Sequence, residues 1–419
     1  MSKINNIANK LSLFTVFRGI LDNNVFKYFI EYCKNNDFNS KLNNYGKFVQ
    51  EIYNNGANLS NYVCKILFED ENIFVKQYSK NAQINLNISN SVKFELEVLK
   101  DFIALSSEDF KMDLNIDYLP NYDINEIDIV NDYFNRLDNI YKYGYGIYAS
   151  NTMFSVTETG QIVPIISADK VKLDSFIGYN YERQKVVDNT LAFLENRPAA
   201  NALLYGDAGT GKSSTVKAIV NEYFDDGLRL IEVRKNQLLL LPIIMGEISS
   251  NPLKFIIFID DLTFTSNDDN FGMLKAMLEG SASAQAKNAI IYATSNRRHI
   301  VKETFEDRQG NDIHKNDTIQ ENLSLSERFG LRILFAKPEK KLYLEIVNTL
   351  AKRNNINIDP KELETKAEEQ IAKLDEVLED KRRNYDLKDL KKSLDQYNAN
   401  LQNVNDFINK DVAENIVEN

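Results

Sequence analysis

Gly206-Asp207-Ala208-Gly209-Thr210-Gly211-Lys212-Ser213 matches the GxxxxGKS pattern of a phosphate-binding loop. The preceding Asn201-Ala202-Leu203-Leu204-Tyr205 is typical of a short buried strand, and the segment from Ser214 onward is typical of a helix start. In this order the glycines let backbone N–H groups surround a polyphosphate at a helix N-terminus, where the helix dipole favours negative charge. We therefore predict that Gly206 to Ser214 bind a nucleotide, with Lys212 on the β- and γ-phosphates and the Ser213 hydroxyl on Mg²⁺. The alternative is a glycine-rich turn without a ligand.

Two carboxylates follow an apolar run later in the chain. Phe255-Ile256-Ile257-Phe258-Ile259 is typical of a strand buried on both faces of a parallel sheet, and it ends in Asp260 and Asp261. We predict that the end of this strand lies beside the phosphate loop, so that Asp260 holds Mg²⁺ through water. Asp261 is then placed to polarise the attacking water as a general base. The alternative is a strand that ends in a solvated turn.

Polar residues also follow a third apolar run. Ala289-Ile290-Ile291-Tyr292-Ala293 predicts another buried strand, and Thr294, Ser295 and Asn296 come directly after it. An amide at the carboxyl end of such a strand can orient a water molecule near the γ-phosphate. We predict this role for Asn296, with Thr294 as the competing candidate. The alternative is a strand-end asparagine that caps the next element.

An arginine precedes the last strand-like segment. Arg328 lies in Ser326-Glu327-Arg328-Phe329-Gly330-Leu331, just before Ile333-Leu334-Phe335. This position suits an arginine finger that reaches the γ-phosphate of a neighbouring subunit, because the planar guanidinium donors neutralise developing charge. Arg328 therefore predicts a homo-oligomer. An intramolecular salt bridge is the alternative.

Composition and charge limit the other classes of protein. The 419 residues suggest two or three domains. The net charge of −11 argues against a general binder of nucleic acids or membrane surfaces, both of which need a basic stripe. The longest apolar stretch, Leu238 to Met245, is too short to span a bilayer, and no signal-peptide pattern opens the chain, so we expect a cytoplasmic protein. Cys33 and Cys64 are expected to be reduced core thiols.

The spacing of apolar residues predicts four parts along the chain. Residues 1–145 have helical spacing and predict a mainly helical domain whose role the sequence does not indicate. Residues 146–169 predict a connector with short strands at 147–149, 153–156 and 160–165. Residues 170–337 alternate strands and helices, which is typical of a parallel α/β sheet with ligands at its carboxyl edge. Residues 338–419 predict a helical lid followed by charged helices.

The order of these motifs resembles the AAA+ P-loop ATPases over roughly residues 170–360. More narrowly, the chain is similar to a bacterial family of single-module AAA ATPases of unassigned role in four segments: Phe176 to Lys185, Gly227 to Val233, Ile291 to His299 and Ser326 to Leu331. The resemblance implies an α/β parallel sheet with flanking helices, ATP and Mg²⁺ as ligands, and a helical lid. It also implies that Phe176, Ile177 and Gly178 lie against adenine, which favours ATP over GTP.

The sequence departs from the AAA+ pattern in two places. The carboxylate strand ends in Asp260-Asp261, whereas the family usually has Asp-Glu there, so hydrolysis is expected to be slow. The lid also lacks a clear sensor-2 arginine, for which Arg383 and Lys388 are the candidates. We expect an ATP-hydrolysing remodelling or switch protein that acts on an unidentified macromolecular partner. The alternative is an ATP-dependent loader or adaptor that hydrolyses slowly or not at all.

Overall fold

The computed structural model of the chain describes most of its first 350 residues. The described residues are 2–262, 264–265, 269–278, 286–296, 301–302, 327–353, 356, 359 and 361–369. They belong to two compact units, Met1–Lys337 and Pro338–Asn419. The predicted sensor-2 candidates Arg383 and Lys388 lie outside the described residues.

Helices form the amino-terminal part of the first unit. They are α1 (Lys3–Leu11), α2 (Asn24–Lys34), α3 (Phe38–Asn54), α4 (Leu59–Glu69), α5 (Ile73–Ser79), α6 (Leu86–Ile103), α7 (Ser107–Leu114), α8 (Ile129–Asp138) and α9 (Ile140–Tyr143). Many begin at a residue whose side chain accepts a first-turn N–H, as do Asn23, Asp37, Asn58, Asn72 and Asn85. Asparagine and aspartate are favoured at this position because they satisfy donors that the helix leaves unpaired. The asparagine-rich composition of this region thus contributes directly to its helices.

Aromatic side chains fill the core between these helices. Phe102 of α6 lies with its ring centre 4.9 Å from those of both Phe26 and Phe29 on α2. Phe48 of α3 and Phe110 of α7 are 5.7 Å apart in the same cluster. Offset and edge-to-face ring pairs at these separations add to the stabilisation from apolar burial. The cluster explains why phenylalanine recurs at helical spacing in this part of the chain.

The cysteines of this region are both unpaired and sit in or beside the core. Burial raises the pKa of the Cys33 thiol to about 12 and that of Cys64 to about 11. Burial therefore disfavours the thiolate, which is the reactive form, in both side chains.

A buried carboxylate fixes the segment after α1. Glu95 on α6 is only 1% exposed. Its Oε1 accepts the N–H of Thr15 at 2.8 Å and of Val16 at 3.1 Å, and also the Thr15 hydroxyl at 2.8 Å. Its Oε2 accepts the N–H of Phe17 at 2.8 Å. Four donors converge on one carboxylate, which compensates for its removal from water.

We expect Glu95→Gln to lower the free energy of unfolding by about 2–3 kcal/mol, because the new amide group points N–H donors at backbone donors. Denaturant unfolding of the full chain, followed by circular dichroism, measures the change. Glu97→Gln, an exposed position on the same helix, is the matched control and should stay within about 0.5 kcal/mol of the wild type. Equal unfolding midpoints for the two variants would contradict the structural role of Glu95.

A seven-stranded sheet forms the rest of the first unit. Its strands are β1 (Met153–Val156), β2 (Ile162–Pro164), β3 (Ala202–Gly206), β4 (Leu228–Glu232), β5 (Lys254–Ile259), β7 (Ala289–Ser295) and β9 (Leu331–Phe335). Their order is β2-β1-β4-β5-β7-β3-β9, and every neighbouring pair is parallel except β1 with β2. A separate parallel pair joins β6 (Phe264–Thr265) to β8 (Val301–Lys302). The carboxyl ends of β3, β5 and β7 therefore meet at one edge.

Helices cover both faces of this sheet. They are α10 (Asn180–Leu194), α11 (Lys212–Glu222), α12 (Leu241–Ile248) and α13 (Asp269–Leu278). Along β5, Phe255, Ile257 and Ile259 pack in the cluster with α12 and α13, whereas Ile256 and Phe258 pack in the cluster with α10 and α11. Burial on both faces explains the continuous apolar run, and it confirms the predicted α/β fold with flanking helices.

One predicted strand is wrong. Residues 153–156 and 162–164 do form strands, and β1 extends the main sheet by pairing with β4. Gly146–Tyr148, however, is a 3₁₀ turn. The turn places the Tyr148 ring 4.9 Å from Phe154 and 5.3 Å from Phe255, and lets its carbonyl accept the buried Arg229 Nε at 2.7 Å. Side-chain packing against the sheet thus overrides the local strand pattern.

The second unit is helical where it is described. It contains α14 (Lys340–Arg353) and a helix at 361–369, joined by an ion pair between Lys340 and Glu368 at 2.9 Å. This agrees with the helices predicted after residue 338. Within the described residues of both units, we find no helix with the length and apolarity needed to cross a membrane.

Candidate nucleotide-binding site

The phosphate loop connects β3 to α11, as its sequence predicts. Gly206, Gly209 and Gly211 have φ values of +133°, +76° and +83°, a region that side chains rarely allow. At Gly206 a Cβ atom would lie 2.1 Å from the Phe335 carbonyl oxygen, so only glycine fits between β3 and β9. The loop is followed at once by the N-terminus of α11, which begins at Lys212. Backbone donors of the loop and the positive end of the helix dipole thus lie next to each other.

Lys212 supplies a buried cation to this loop. Its side chain is 5% exposed, and Nζ donates to the carbonyl oxygens of Asp207 at 2.6 Å and Gly206 at 3.2 Å. Burial lowers the pKa of the Lys212 ammonium, while the Asp207, Asp260 and Asp261 carboxylates oppose that shift. The Thr210 hydroxyl also donates to the Asp207 carbonyl at 2.9 Å. The loop is therefore held in shape by its own side chains.

Asp260 lies at the carboxyl end of β5 and contacts the first turn of α11. The Ser213 hydroxyl donates to Asp260 Oδ1 at 2.6 Å. A hydroxyl and a carboxylate are hard oxygen ligands of the kind that Mg²⁺ prefers, and Mg²⁺ usually takes few protein ligands beside water and phosphate. The residues present therefore fit the predicted metal site at Ser213 and Asp260.

Asp261 and Asn296 are brought together across two strands. Asp261 follows β5 with a φ of +49°, and its Oδ1 accepts Asn296 Nδ2 at 3.0 Å. Both side chains are exposed at the carboxyl edge of the sheet. An amide that fixes this carboxylate can control how it meets a water molecule. The structure thus pairs the predicted general base with the predicted water-orienting residue.

Thr294 contacts both Asp260 and Asp261, which the sequence did not predict. Its hydroxyl lies 2.5 Å from Asp260 Oδ1 and accepts the Asp261 N–H at 2.9 Å. The sequence named Thr294 only as a competitor of Asn296 for the water-orienting role. These contacts depend on the pairing of β5 with β7, which the sequence does not show. The sequence shows only that a residue with a hydroxyl group lies near the end of a buried strand.

The segment from Phe176 to Gly178 runs beside the phosphate loop. A Cβ at Gly211 would lie 3.6 Å from the Phe176 ring, and Ile177 and Gly178 are half-buried. Arg183, which the sequence did not indicate, lies 4.9 Å from the centre of the Phe176 ring and donates to the Gly178 carbonyl. Burial lowers the pKa of the Arg183 guanidinium. These contacts fix the backbone of the predicted adenine segment.

The last residues of the first unit are also tied to the loop. The Asp207 carboxylate accepts the Lys337 N–H at 2.7 Å, and the Tyr179 hydroxyl donates to the Ala336 carbonyl at 2.6 Å. The Asp207 N–H donates to Phe335 at 3.1 Å. Asp207, predicted as a nucleotide contact, therefore has a structural bond through its side chain, while Ala208 and Gly209 beside it are exposed.

Arg328 lies at the opposite edge of the sheet from the phosphate loop. It precedes β9, which runs parallel to β3 in a register that pairs Ala202 with Leu331 and Gly206 with Phe335. A strand of this length separates its two ends by roughly 15 Å. The exposed Arg328 is therefore not brought to the phosphate loop of its own chain. β3 lies between the Asn296 strand and the Arg328 strand, so the sheet brings the phosphate loop and the end of the Asn296 strand to one edge.

Comparison with known proteins gave distant structural matches. A mutant of RuvB from Thermotoga maritima is 16% identical, with a TM-score of 0.33, over 47% of this chain and 58% of that one. The T. maritima RuvB Holliday junction branch migration motor is 17% identical, with a TM-score of 0.32, over 48% and 59%. The chain spans less than two thirds of the length of either structure. A search of curated proteins found no match.

A family model gave the assignment. The model described as "Protein of unknown function (DUF815)" matches residues 149–377, which include the whole sheet, the phosphate loop and Arg328. This match covers more than half of the chain. The chain therefore belongs to the DUF815 family.

Proposed function

We propose that the chain is an ATP-binding and ATP-hydrolysing AAA+ protein that acts as a remodelling or switch ATPase on a macromolecular partner. The observation that carries this proposal is the 2.6 Å contact between Ser213 and Asp260, which joins the phosphate-loop helix to the carboxylate strand. Lys212 is buried at the same loop, so the loop has a cation and a pair of hard oxygen ligands beside it.

Each residue has a defined task in this proposal. The backbone from Gly206 to Gly211 binds phosphate oxygens, and Lys212 neutralises charge on the β- and γ-phosphates. Ser213 and Asp260 hold Mg²⁺, whose bound charge would stabilise the phosphates as charge develops on them. Asp261 takes the proton from the attacking water, and Asn296 orients that carboxylate. Phe176, Ile177 and Gly178 contact adenine.

An ATP-dependent loader or adaptor with little hydrolysis is the second candidate function. Asp261 is one methylene shorter than the usual glutamate, and its Oδ1 already accepts the amide of Asn296 at 3.0 Å. A carboxylate oxygen engaged in this way is a weaker acceptor for the proton of a water molecule. This contact favours a slow catalytic step over a fast motor.

The position of Arg328 supports an oligomer in this proposal. Arg328 lies at the amino edge of the sheet and its own phosphate loop at the opposite edge, so in this proposal the arginine acts on the phosphate of another subunit. The partner that the oligomer acts on is unidentified.

Single-turnover hydrolysis with protein in excess over ATP tests the catalytic step. We expect the wild type to convert its bound ATP to ADP, and Asp261→Asn to slow this step by about 10²-fold while ATP binding persists. Asp188→Asn, an exposed change on α10, is the control and should leave the rate unchanged. Negligible hydrolysis by the wild type would favour the binding module.

A further inference from the structure

We propose that Thr294 is a positioning residue that holds both active-site carboxylates in place for the magnesium–nucleotide complex. The inference rests on the proposed ATPase function and adds a residue to it. Thr294 is the next-to-last residue of β7 and is 2% exposed, so it faces the junction of β5 and β7 and not solvent. Its role is to act through Asp260 and Asp261, without touching the nucleotide.

The Thr294 hydroxyl has a fixed hydrogen-bonding direction. It accepts the N–H of Asp261 at 2.9 Å, because an amide can only donate. Its single hydrogen then goes to Asp260 Oδ1, 2.5 Å away. The same carboxylate oxygen also accepts the Ser213 hydroxyl at 2.6 Å. Together with the Asp261 N–H at 3.2 Å, a hydroxyl group from β7 and one from α11 thus hold this oxygen at the first turn of α11.

The backbone of Thr294 continues the same contact. Its carbonyl accepts the N–H of Leu262 at 2.7 Å. Thr294 therefore binds three consecutive residues, Asp260 through Leu262, where β5 ends and the chain turns away from the sheet. This set of bonds fixes where the strand stops and how the following turn is oriented.

The conformation of Asp261 depends on that turn. Its φ of +49° lies in the left-handed region, which is uncommon for residues with a side chain, although aspartate adopts it more readily than most. The bond from the Asp261 N–H to the Thr294 hydroxyl helps to hold it there. In this conformation the Asp261 carboxylate meets Asn296 at 3.0 Å. Thr294 thus positions the metal-holding carboxylate through its proton and the water-polarising one through its lone pair.

The magnesium dependence of nucleotide binding tests the inference. Thr294→Val keeps the shape of the side chain but removes the hydroxyl, whereas Thr294→Ser retains it. With a fluorescent ATP analogue as the probe, we expect Thr294→Val to raise the half-saturating Mg²⁺ concentration by about 10- to 100-fold. Its affinity for the probe in EDTA should equal that of the wild type. Thr294→Ser should restore the magnesium dependence.

Thr190→Val is the matched control for loss of a buried threonine hydroxyl. The Thr190 hydroxyl lies 2.8 Å from the hydroxyl of Tyr292, which is on β7 like Thr294 but away from the carboxylates. Thr190→Val should therefore lose stability without any change in the magnesium dependence of nucleotide binding. An unchanged magnesium dependence in Thr294→Val, an equal loss of affinity in EDTA, or an equal loss in Thr294→Ser would each overturn the inference. A wild type that fails to bind the probe would instead contradict the proposed function, and the inference with it.

Discussion

Lys212→Ala is expected to reduce ATP turnover by about 10³-fold, to the background of the preparation. The ammonium of Lys212 is held inside the phosphate loop by the carbonyl groups of Gly206 and Asp207. A cation already fixed in a site with little solvent stabilises phosphate charge without reorganising during the reaction. Its removal therefore costs both nucleotide binding and the stabilisation of the transition state.

Steady-state phosphate release and equilibrium binding of ATP measure the two losses. Lys217→Ala on the same helix is the matched control, because that lysine is only partly buried and lies 3.9 Å from Glu232, outside the loop. We expect the control to retain full turnover. Lys212→Met keeps most of the volume of the side chain, so a loss in both Lys212 variants with unchanged melting temperature assigns the effect to charge. Unchanged turnover in purified Lys212→Ala would remove the basis of the proposed function.

The phosphate loop and the carboxylate strand could be predicted because their signals are local. Gly206, Gly209 and Gly211 are required by backbone geometry within one short loop, and the apolar run before Asp260 marks a strand buried on both faces. Neither inference needed knowledge of which strands are neighbours. The same reasoning predicted the helices of residues 1–145 from helical spacing alone, whereas the aromatic cluster between them became visible only in the structure.

Contacts that depend on strand order could not be predicted in the same way. Thr294 reaches Asp260 only because β7 pairs with β5, and Asp207 meets Lys337 only because β9 lies beside β3. Local pattern also failed at Tyr148, where packing against Phe255 and the bond from Arg229 favour a 3₁₀ turn. Tertiary contacts outweigh local propensity at these positions.

Arg328→Ala is expected to lower kcat by about 10³- to 10⁵-fold while ATP binding stays at the wild-type level. The reason is the placement of this arginine at the amino edge of the sheet, close to the residues that precede β3. A Cβ at Gly330 would lie 2.9 Å from the Ala200 side chain, and the Leu331 N–H donates to the Asn201 carbonyl at 3.1 Å. If Arg328 acts on a phosphate as proposed, that phosphate is therefore expected to lie in a different subunit.

Mixed oligomers separate an arginine acting between subunits from one with a purely structural role. Lys212→Ala subunits retain Arg328, and Arg328→Ala subunits retain the phosphate loop, so each variant alone should be inactive. When the two variants are mixed, Arg328 of a Lys212→Ala subunit can complete the site of a neighbouring Arg328→Ala subunit. Turnover should then return in proportion to the number of interfaces that join the two kinds of subunit in this way. Arg197→Ala, an exposed arginine before β3 that pairs with Glu195, is the control and should remain active alone.

The result against this arrangement is equally specific. If no mixture regains activity and the ATP-bound wild type is a monomer by analytical ultracentrifugation, Arg328 does not act in a neighbouring site. β9 is in register with β3 along its whole length, which keeps Arg328 and the phosphate loop of the same chain at opposite edges of the sheet. Hydrolysis by such a monomer would then have to proceed without an arginine finger, which predicts the slow intrinsic rate of a switch.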